Sequence, residues 1–192
     1  VDLEYLSLHK NTNIKSIGES LLANKNLKFL NLYYIPFRYL PDYIYNLINL
    51  RSLTLYNIQN LSDDISKLEN LEFFTHTSGI SMYKLPDGFY NLRKLRMIRA
   101  HGNSLNNISS NICNLSLLEE LSLYQNNLSD LPESFSEFKY LNKLNLGWNK
   151  FKSLPACLYK LKSLRWLGIF GNEIEYDSIN KFSSEVLVQS KW

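Results

Sequence analysis

The chain has 192 residues, 45% of them apolar, so it is long enough for one domain or repeat array with a continuous core and too apolar for a disordered protein. Its formal net charge is +3, from 21 basic and 18 acidic residues. This nearly equal number of basic and acidic residues argues against a dedicated nucleic-acid binder, which would carry a strongly basic stripe. No run of 18 apolar residues occurs, so the sequence predicts no membrane-spanning helix.

One pattern repeats along the chain about every 23 residues. Residues 118–140 (LEELSLYQNNLSDLPESFSEFKY) and 141–163 (LNKLNLGWNKFKSLPACLYKLKS) align without a gap. Eight units begin at Leu3, Leu27, Leu50, Leu71, Leu95, Leu118, Leu141 and Leu164, with spacings of 24, 23, 21, 24, 23, 23 and 23 residues. We count positions within each unit from 0 at this leucine. Regular spacing of this kind predicts stacked structural repeats.

The start of each unit, L-x-x-L-x-L, alternates with a period of two and predicts a short strand with one buried face. Every unit runs in the same direction, so neighbouring strands are expected to form a parallel sheet. The predicted strands are residues 5–8, 29–32, 52–55, 97–100, 120–123, 143–146 and 166–169, with another near 73–76.

The second half of each unit carries turn signals. Asparagine ends the strand at position 8, where its amide can bond the turning backbone. Proline, which fixes φ and lacks an N–H donor, follows at position 14 or 15. Apolar residues then come three apart, as suits a 3₁₀ or short α-helical turn. The asparagines are Asn103, Asn126, Asn149 and Asn172, and the prolines are Pro41, Pro86, Pro132 and Pro155.

From residue 3 to about 176 this pattern resembles the leucine-rich repeat family in its 23-residue form, L-P-x-x-Φ-x-x-L. The resemblance implies an α/β, arc-shaped solenoid with a parallel sheet on its concave face and 3₁₀ or short helical turns on its convex face. The Asn-, Lys-, Tyr- and Ser-rich composition is similar to bacterial members, including those of pathogenic spirochaetes, which favours a secreted or cell-surface bacterial protein over a cytoplasmic one. Plant immune receptors and animal scaffold proteins carry similar units.

We divide the chain into eight repeats over 1–176 and a C-terminal cap over 177–192. Asp177 or Ser178 can begin a short helix. Ile179, Phe182 and Val186 would then cover the core of the last unit. No matching cap precedes Leu3, so the first strand is expected to be an open edge. This edge reflects either a missing flank or pairing with a second copy in a homodimer.

Units three and four break the rhythm, and unit four places His76 at position 5, a core position. Ala100 occupies the same position in the next strand and leaves room for the ring. We expect His76 to be buried and hydrogen-bonded; a ligand or a pH switch is the alternative.

The sequence contains no set of residues expected to perform catalysis or hold a metal or cofactor. His9 and His101 share position 6 but lie four strands apart, on the order of 20 Å. Cys113 and Cys157 are two strands apart, roughly 10 Å, which is beyond disulfide reach. No phosphate-binding glycine loop or nucleophile elbow is present. We therefore expect a protein without enzymatic activity.

Side chains at positions 2, 4, 6 and 7 are expected to face the concave side, and many of them are aromatic. Folding does not require aromatic residues there, and large exposed apolar patches mark binding sites. The predicted partner-binding residues are Phe29, Tyr33, Tyr34, Tyr56, Phe73, Met97, Tyr124, Trp148, Trp166 and Phe170. Tyr124, Trp148 and Phe170 should cluster, with Gly147 and Gly171 leaving space for a partner. Trp166 should belong to a separate contact with Phe73 and Met97.

We consider three functions. The first is binding of a protein or peptide, because Tyr, Trp and Met are enriched at interfaces. The second is binding of a carbohydrate or nucleic acid, because aromatics stack on sugars and bases; acidic residues interrupt the row of arginines, so nucleic acid is disfavoured. The third is ligand recognition within a longer receptor or enzyme. A stacked aromatic ladder that only stabilises the sheet remains the structural alternative.

Overall fold

The computed structural model describes residues 2–18, 20–21, 24–77, 82–175 and 181–190. In these residues nine strands form one parallel sheet whose order follows the chain. The strands are β1 (Tyr5–Ser7), β2 (Phe29–Leu32), β3 (Ser52–Tyr56), β4 (Phe73–Thr77), β5 (Met97–His101), β6 (Glu120–Ser122), β7 (Lys143–Asn145), β8 (Trp166–Gly168) and β9 (Leu187–Gln189). The first eight confirm the predicted strands and their parallel pairing.

The register confirms the alignment of the units. Leu30 of β2 pairs with Leu53 of β3, and Leu53 pairs with Phe74 of β4, all at position 3. The side chains at positions 3 and 5 point inward. From the second unit to the eighth they are buried in one continuous core, and Leu6 and Leu8 of the first unit are partly buried against it. This arrangement is a leucine-rich repeat solenoid, and it leaves the opposite face of every strand available for other contacts.

Short 3₁₀ helices return the chain on the side opposite the sheet. They are η1 (Asp42–Asn46), η2 (Asp63–Lys67), η3 (Asp87–Asn91), η4 (Ser110–Asn114), η5 (Glu133–Glu137) and η6 (Ala156–Lys160). Proline precedes four of them, and Ser62 and Ser109 precede η2 and η4. The predicted role of proline is thus confirmed, and serine replaces it by accepting an N–H from the first turn.

The predicted asparagines form a hydrogen-bonded ladder between units, in which Asn103, Asn126 and Asn149 are buried and Asn172 is partly buried. Asn149 donates its amide to the carbonyls of Leu123 and Leu146, at 2.9 and 3.0 Å, and accepts the N–H of Leu128 at 3.0 Å. Asn126 bonds its neighbours in the same way. Each asparagine therefore satisfies backbone groups that the turn leaves without a partner.

The residue at position 7 adopts a left-handed conformation in most units. Gly102, Gly171 and Asn57 hold it in three units and suit this conformation, and Lys10 and Gln125 hold it in two others. Tyr34 and Trp148 occupy the same position with φ of 56° and 53°. A bulky aromatic residue at positive φ is unusual, and these two side chains lie on the concave face.

The C-terminal tail differs from the expected helix. In its described part, 181–190, residues Leu187–Gln189 form β9, which pairs with β8 in parallel. Phe182 and Val186 pack against the core as expected, and the Phe182 ring lies 4.9 Å from that of Tyr159. Residues 177–180, where the helix was expected to begin, lie outside the described residues. The tail thus covers the last unit partly by extending the sheet.

His76 is fully buried and pairs with Ala100, as predicted. The expected hydrogen bond is not seen, because neither ring nitrogen has a partner of good geometry among the described residues. Burial lowers the pKa of His76 to about 4, and the nearby Ile58 backbone and Asn103 side chain only partly oppose this effect. His76 is therefore a neutral core side chain.

Candidate binding surface on the concave face

The first half of the concave face carries a cluster of stacked rings, which we call the N-terminal aromatic cluster. It consists of His9, Tyr33, Tyr34 and Tyr56. The His9 and Tyr33 rings stack 5.4 Å apart, and those of Tyr34 and Tyr56 stack 4.1 Å apart. A hydrogen bond with Tyr34 raises the pKa of the Tyr56 hydroxyl. Phe29 extends the surface beside the ring of Tyr5, 6.2 Å away.

The second half carries the C-terminal aromatic cluster of Tyr124, Trp148 and Phe170. The Tyr124 and Phe170 rings lie 5.9 Å apart. The sequence suggested that Phe170 faces solvent, but its side chain is only 6% exposed. Phe170 therefore supports the surface from below. Trp148 stays 50% exposed.

The glycines of this cluster do not leave open space, contrary to expectation. A Cβ on Gly147 would lie 2.8 Å from the Phe170 ring, and a Cβ on Gly171 would lie 2.9 Å from the Trp148 indole. Each glycine is therefore covered by the aromatic ring of a neighbouring strand. Their absent side chains allow these rings to lie flat against the sheet.

Position 2 contributes Phe29, Phe73, Met97 and Trp166, which are exposed or half-buried. Phe73 pairs with Met97, but Glu120 and Lys143 separate Met97 from Trp166 in the register. Trp166 is thus three strands, roughly 14 Å, from Met97, and the expected contact among them is wrong. Its indole instead lies under the Lys143 ammonium, 5.7 Å from the ring centroid.

On β5 to β7, beside Tyr124 of the C-terminal cluster, lies a cavity of about 250 Å³, which we call the polar notch. It is lined by Arg99, His101, Glu120, Leu121, Ser122, Lys143 and Asn145. The Arg99 Nε donates to Glu120 at 2.9 Å, and the Lys143 ammonium lies 3.7 Å from the other oxygen of that carboxylate. Burial, followed by the charge of Arg99, lowers the pKa of His101.

Sequence reasoning missed the polar notch because it followed the aromatic residues at positions 2, 6 and 7. The signal was a run of charged residues on the predicted concave face of three consecutive strands. These residues are Arg99 at position 4 of β5, and Glu120 and Lys143 at position 2 of β6 and β7.

Other chemistry is limited. Within the described ranges, no three His, Cys, Asp or Glu side chains lie close enough to hold a metal ion. Nor does any helix in that part of the chain have the length and apolarity needed to cross a membrane. Both cysteines are free, and burial raises the pKa of Cys157 to about 11, which makes its thiol a poor nucleophile.

Comparisons with known proteins agree with this architecture. Residues 116–174 match the family model described as Leucine rich repeat. A leucine-rich repeat protein of Leptospira interrogans superposes with a TM-score of 0.90 at 28% identity, over 97% of this chain and 48% of that one. No curated protein matches the sequence.

Two further structures share the fold. An internalin of Listeria monocytogenes superposes with a TM-score of 0.82 at 21% identity, over 99% of this chain and 56% of that one. The plant peptide hormone receptor RGFR1, in complex with RGF2, superposes with a TM-score of 0.73 at 25% identity, over 98% of this chain and 32% of the receptor. The chain thus spans about half or less of the length of these structures. Its repeat pattern, its parallel sheet and these matches give the chain the fold of leucine-rich repeat proteins and make it similar to bacterial proteins with that fold.

Proposed function

We propose that the chain is a non-enzymatic module that binds a protein or peptide partner through its concave face. The observation that carries this proposal is Trp148, which is half exposed although its backbone is left-handed. A residue with a Cβ in this conformation costs roughly 1–2 kcal/mol relative to its right-handed form. Gly or Asn lowers that cost in three other units, and Lys10 and Gln125 hold the same position in two more. The left-handed turn therefore does not call for an aromatic side chain, whereas a binding surface gives a reason for a half-exposed indole.

The same reasoning applies to Tyr34, in the first half of the sheet. It has φ of 56° at the same position of its unit and is 43% exposed. Tyrosine and tryptophan dominate the binding energy of many protein interfaces, because they bury a large rigid surface. Two such residues at strained positions, one in each aromatic cluster, support a contact surface that extends along the sheet.

Some of the aromatic residues have two roles. The stacked rings of the N-terminal cluster and the buried Phe170 stabilise the sheet, as the ladder interpretation expects. Phe29, Trp148 and Tyr34, which also stacks on Tyr56, are the most exposed of the predicted partner-binding residues. The half-buried Tyr33, Tyr56, Phe73, Met97, Tyr124 and Trp166 border that exposed set and complete the proposed contact surface. The internalin and the receptor in complex with RGF2 share this fold, and the receptor complex in particular supports a protein or peptide ligand.

The test is selection of a phage-displayed library of random twelve-residue peptides on the wild-type protein. Enriched peptides are synthesised, and their affinity is measured for the wild type and for a variant with both Tyr124→Ala and Trp148→Ala. Loss of two interface aromatics should weaken binding by about thirtyfold or more. Tyr140→Ala is the control, because Tyr140 is exposed outside the concave face.

A second variant, Trp148→Asn, separates binding from folding. Asparagine tolerates the left-handed backbone, so the thermal stability should stay near that of the wild type while the affinity falls. Unchanged affinity in the folded variants would reject the site. A large loss of stability would favour the structural ladder, and failure to enrich any peptide would reject peptide binding.

A further inference from the structure

We propose that the polar notch is a carboxylate-binding subsite, which receives the Asp or Glu side chain of the bound segment. This inference rests on the proposed function and adds the chemistry of the partner. It depends on three observations: the order in which the charged groups are exposed, the presence of buried hydroxyl and ring groups without partners, and the position of the notch beside the rings of Tyr124 and Trp166.

The charges of the notch are arranged with the cations outermost. The side chains of Arg99 and Lys143 are 42% and 47% exposed, whereas that of Glu120 is 22% exposed and lies between them. An approaching partner therefore meets two positive groups above one carboxylate that is already paired. A second carboxylate would be attracted, and a basic side chain would be repelled before it reached Glu120.

The notch also retains hydrogen-bonding capacity. Ser122 is buried, and its Oγ has no partner among the described residues. The same holds for Nε2 of His101. Buried polar groups are nearly always paired in proteins, so unpaired ones beside a cavity indicate a group that binds there. In the part of the chain that is described, the Arg99 guanidinium is engaged only through Nε, so its remaining N–H groups and the Ser122 hydroxyl are donors for a carboxylate.

The surroundings define what flanks this carboxylate in the partner. The His101 ring lies 5.9 Å from that of Tyr124, and Lys143 lies over the ring of Trp166. Both walls of the notch thus continue into aromatic surface. A segment that places an acidic residue here puts its neighbouring side chains on Tyr124 and Trp166, so apolar residues should flank the acid.

The experiment uses pools of nine-residue peptides spotted on a membrane. The central residue is fixed as Asp, Glu, Asn, Gln or Lys, and the other eight positions are randomised. Labelled wild-type protein should bind the Asp and Glu pools about tenfold more strongly than the matching amide pools, because a hydrogen bond to a charged group contributes about 1.5 kcal/mol or more. The Lys pool should bind least.

Two variants test the notch in opposite directions. Changing Arg99→Gln and Lys143→Gln together should abolish the preference for acidic pools while binding to the amide pools continues. Glu120→Gln removes the competing carboxylate and should strengthen the preference. Arg96→Gln is the matched control, since Arg96 is an exposed arginine that pairs with Glu119 outside the notch.

The outcomes separate this inference from the proposed function. Wild-type binding without a preference for acidic pools, or a preference that survives in the folded double variant, would overturn the carboxylate subsite and leave peptide binding intact. Absence of binding to every pool would overturn both. A preference that is lost in the double variant, retained with Arg96→Gln and increased with Glu120→Gln supports the subsite.

Discussion

A neutral histidine in the core of β4 makes the stability of the fold depend on pH. The pKa of His76 is about 4 in the folded chain, below its ordinary value of 6.5, because burial disfavours the charged form. The unfolded chain therefore binds a proton at a pH where the folded chain does not, so stability is full above pH 6.5 and falls toward pH 4. Between pH 7 and pH 5 this histidine should cost the fold about 2 kcal/mol.

Urea denaturation at pH 7 and at pH 5 measures this effect. His76→Leu restores the residue type of Leu55, which pairs with His76 in the neighbouring strand. The variant should lose the part of the pH dependence that His76 causes and keep the part from His101, whose pKa burial also lowers. It should be at least as stable as the wild type because it also removes a buried ring whose nitrogens are poorly hydrogen-bonded. An identical loss of stability between pH 7 and pH 5 in both proteins would contradict this account.

Two 3₁₀ helices are preceded by serine, whose backbone N–H needs an acceptor that proline does not need. In both cases a buried tyrosine hydroxyl accepts this N–H. The hydroxyl of Tyr45 accepts the N–H of Ser62 at 3.0 Å, and that of Tyr90 accepts the N–H of Ser109 at 3.3 Å. Burial raises the pKa of both tyrosines, so they stay neutral. Tyr45→Phe leaves the Ser62 N–H without this acceptor and should cost about 1–3 kcal/mol of unfolding free energy.

A double-mutant cycle checks this role. Proline at position 62 has no N–H, and the backbone there, with φ of −75° and ψ of 155°, suits proline. Tyr45→Phe should therefore cost clearly less in a Ser62→Pro background than in the wild type. Equal costs in both backgrounds would show that the hydroxyl has another role.

At the scale of elements, the contact between η2 and η3 depends on Gly88. A Cβ at this residue would lie 2.1 Å from the carbonyl oxygen of Asp63, a backbone atom that cannot move aside. The Gly88 N–H also donates to the Asp63 carboxylate at 2.7 Å. Gly88→Ala should therefore destabilise the chain by about 3 kcal/mol, the upper end for overpacking.

Thermal unfolding with Gly18→Ala as the control measures this cost. A Cβ on Gly18 would approach Ser20 Oγ no closer than 3.3 Å, so that substitution should have a small effect. Similar losses at the two positions would show that close packing between η2 and η3 does not limit stability.

The repeating elements could be predicted from the sequence because each is specified locally. Leu30, Leu53 and Phe74 recur at one position, so the strands and their register follow from the period. Strand β9 could not be predicted in this way, because Leu187–Gln189 is only three residues long and is stabilised by its pairing with β8. The burial of Phe170 was also missed, since it depends on a glycine in the neighbouring strand, Gly147, that its ring covers. The aromatic part of the proposed surface was expected from the sequence, because each ring is visible at its position in the repeat. The polar notch was missed, because its charges come from three strands.

At the scale of the whole molecule, the sheet order follows the chain, so each unit packs on its sequence neighbours. In such an array, stability is approximately a sum of unit terms and nearest-neighbour terms. A change at one end should therefore act on the adjacent units and leave distant ones unaffected. The concave surface gains from this property, because its central strands stay fixed while the ends open locally.

The C-terminal tail can be used to test whether a change at one end affects only the adjacent units. Phe182 packs on Tyr159, Arg165 lies 3.8 Å from Glu185, and β9 exchanges hydrogen bonds with β8. The N–H of Ile169 donates to Gln189 and that of Leu187 to Arg165. Phe182→Ala removes apolar contact that holds this tail, so these two amides should exchange with deuterium at least about tenfold faster, as expected for a loss of about 1.4 kcal/mol or more.

Hydrogen exchange measured by NMR should show no change at Leu146, whose N–H donates to Gly168 in the strand before the tail. Tyr140→Ala, at an exposed position away from the tail, should leave all three rates unchanged. Faster exchange at Leu146 to the same degree would mean that the last strands open as one unit. Local opening confined to Ile169 and Leu187 would instead show that the tail closes the solenoid without supporting the strands that carry Trp148 and the polar notch.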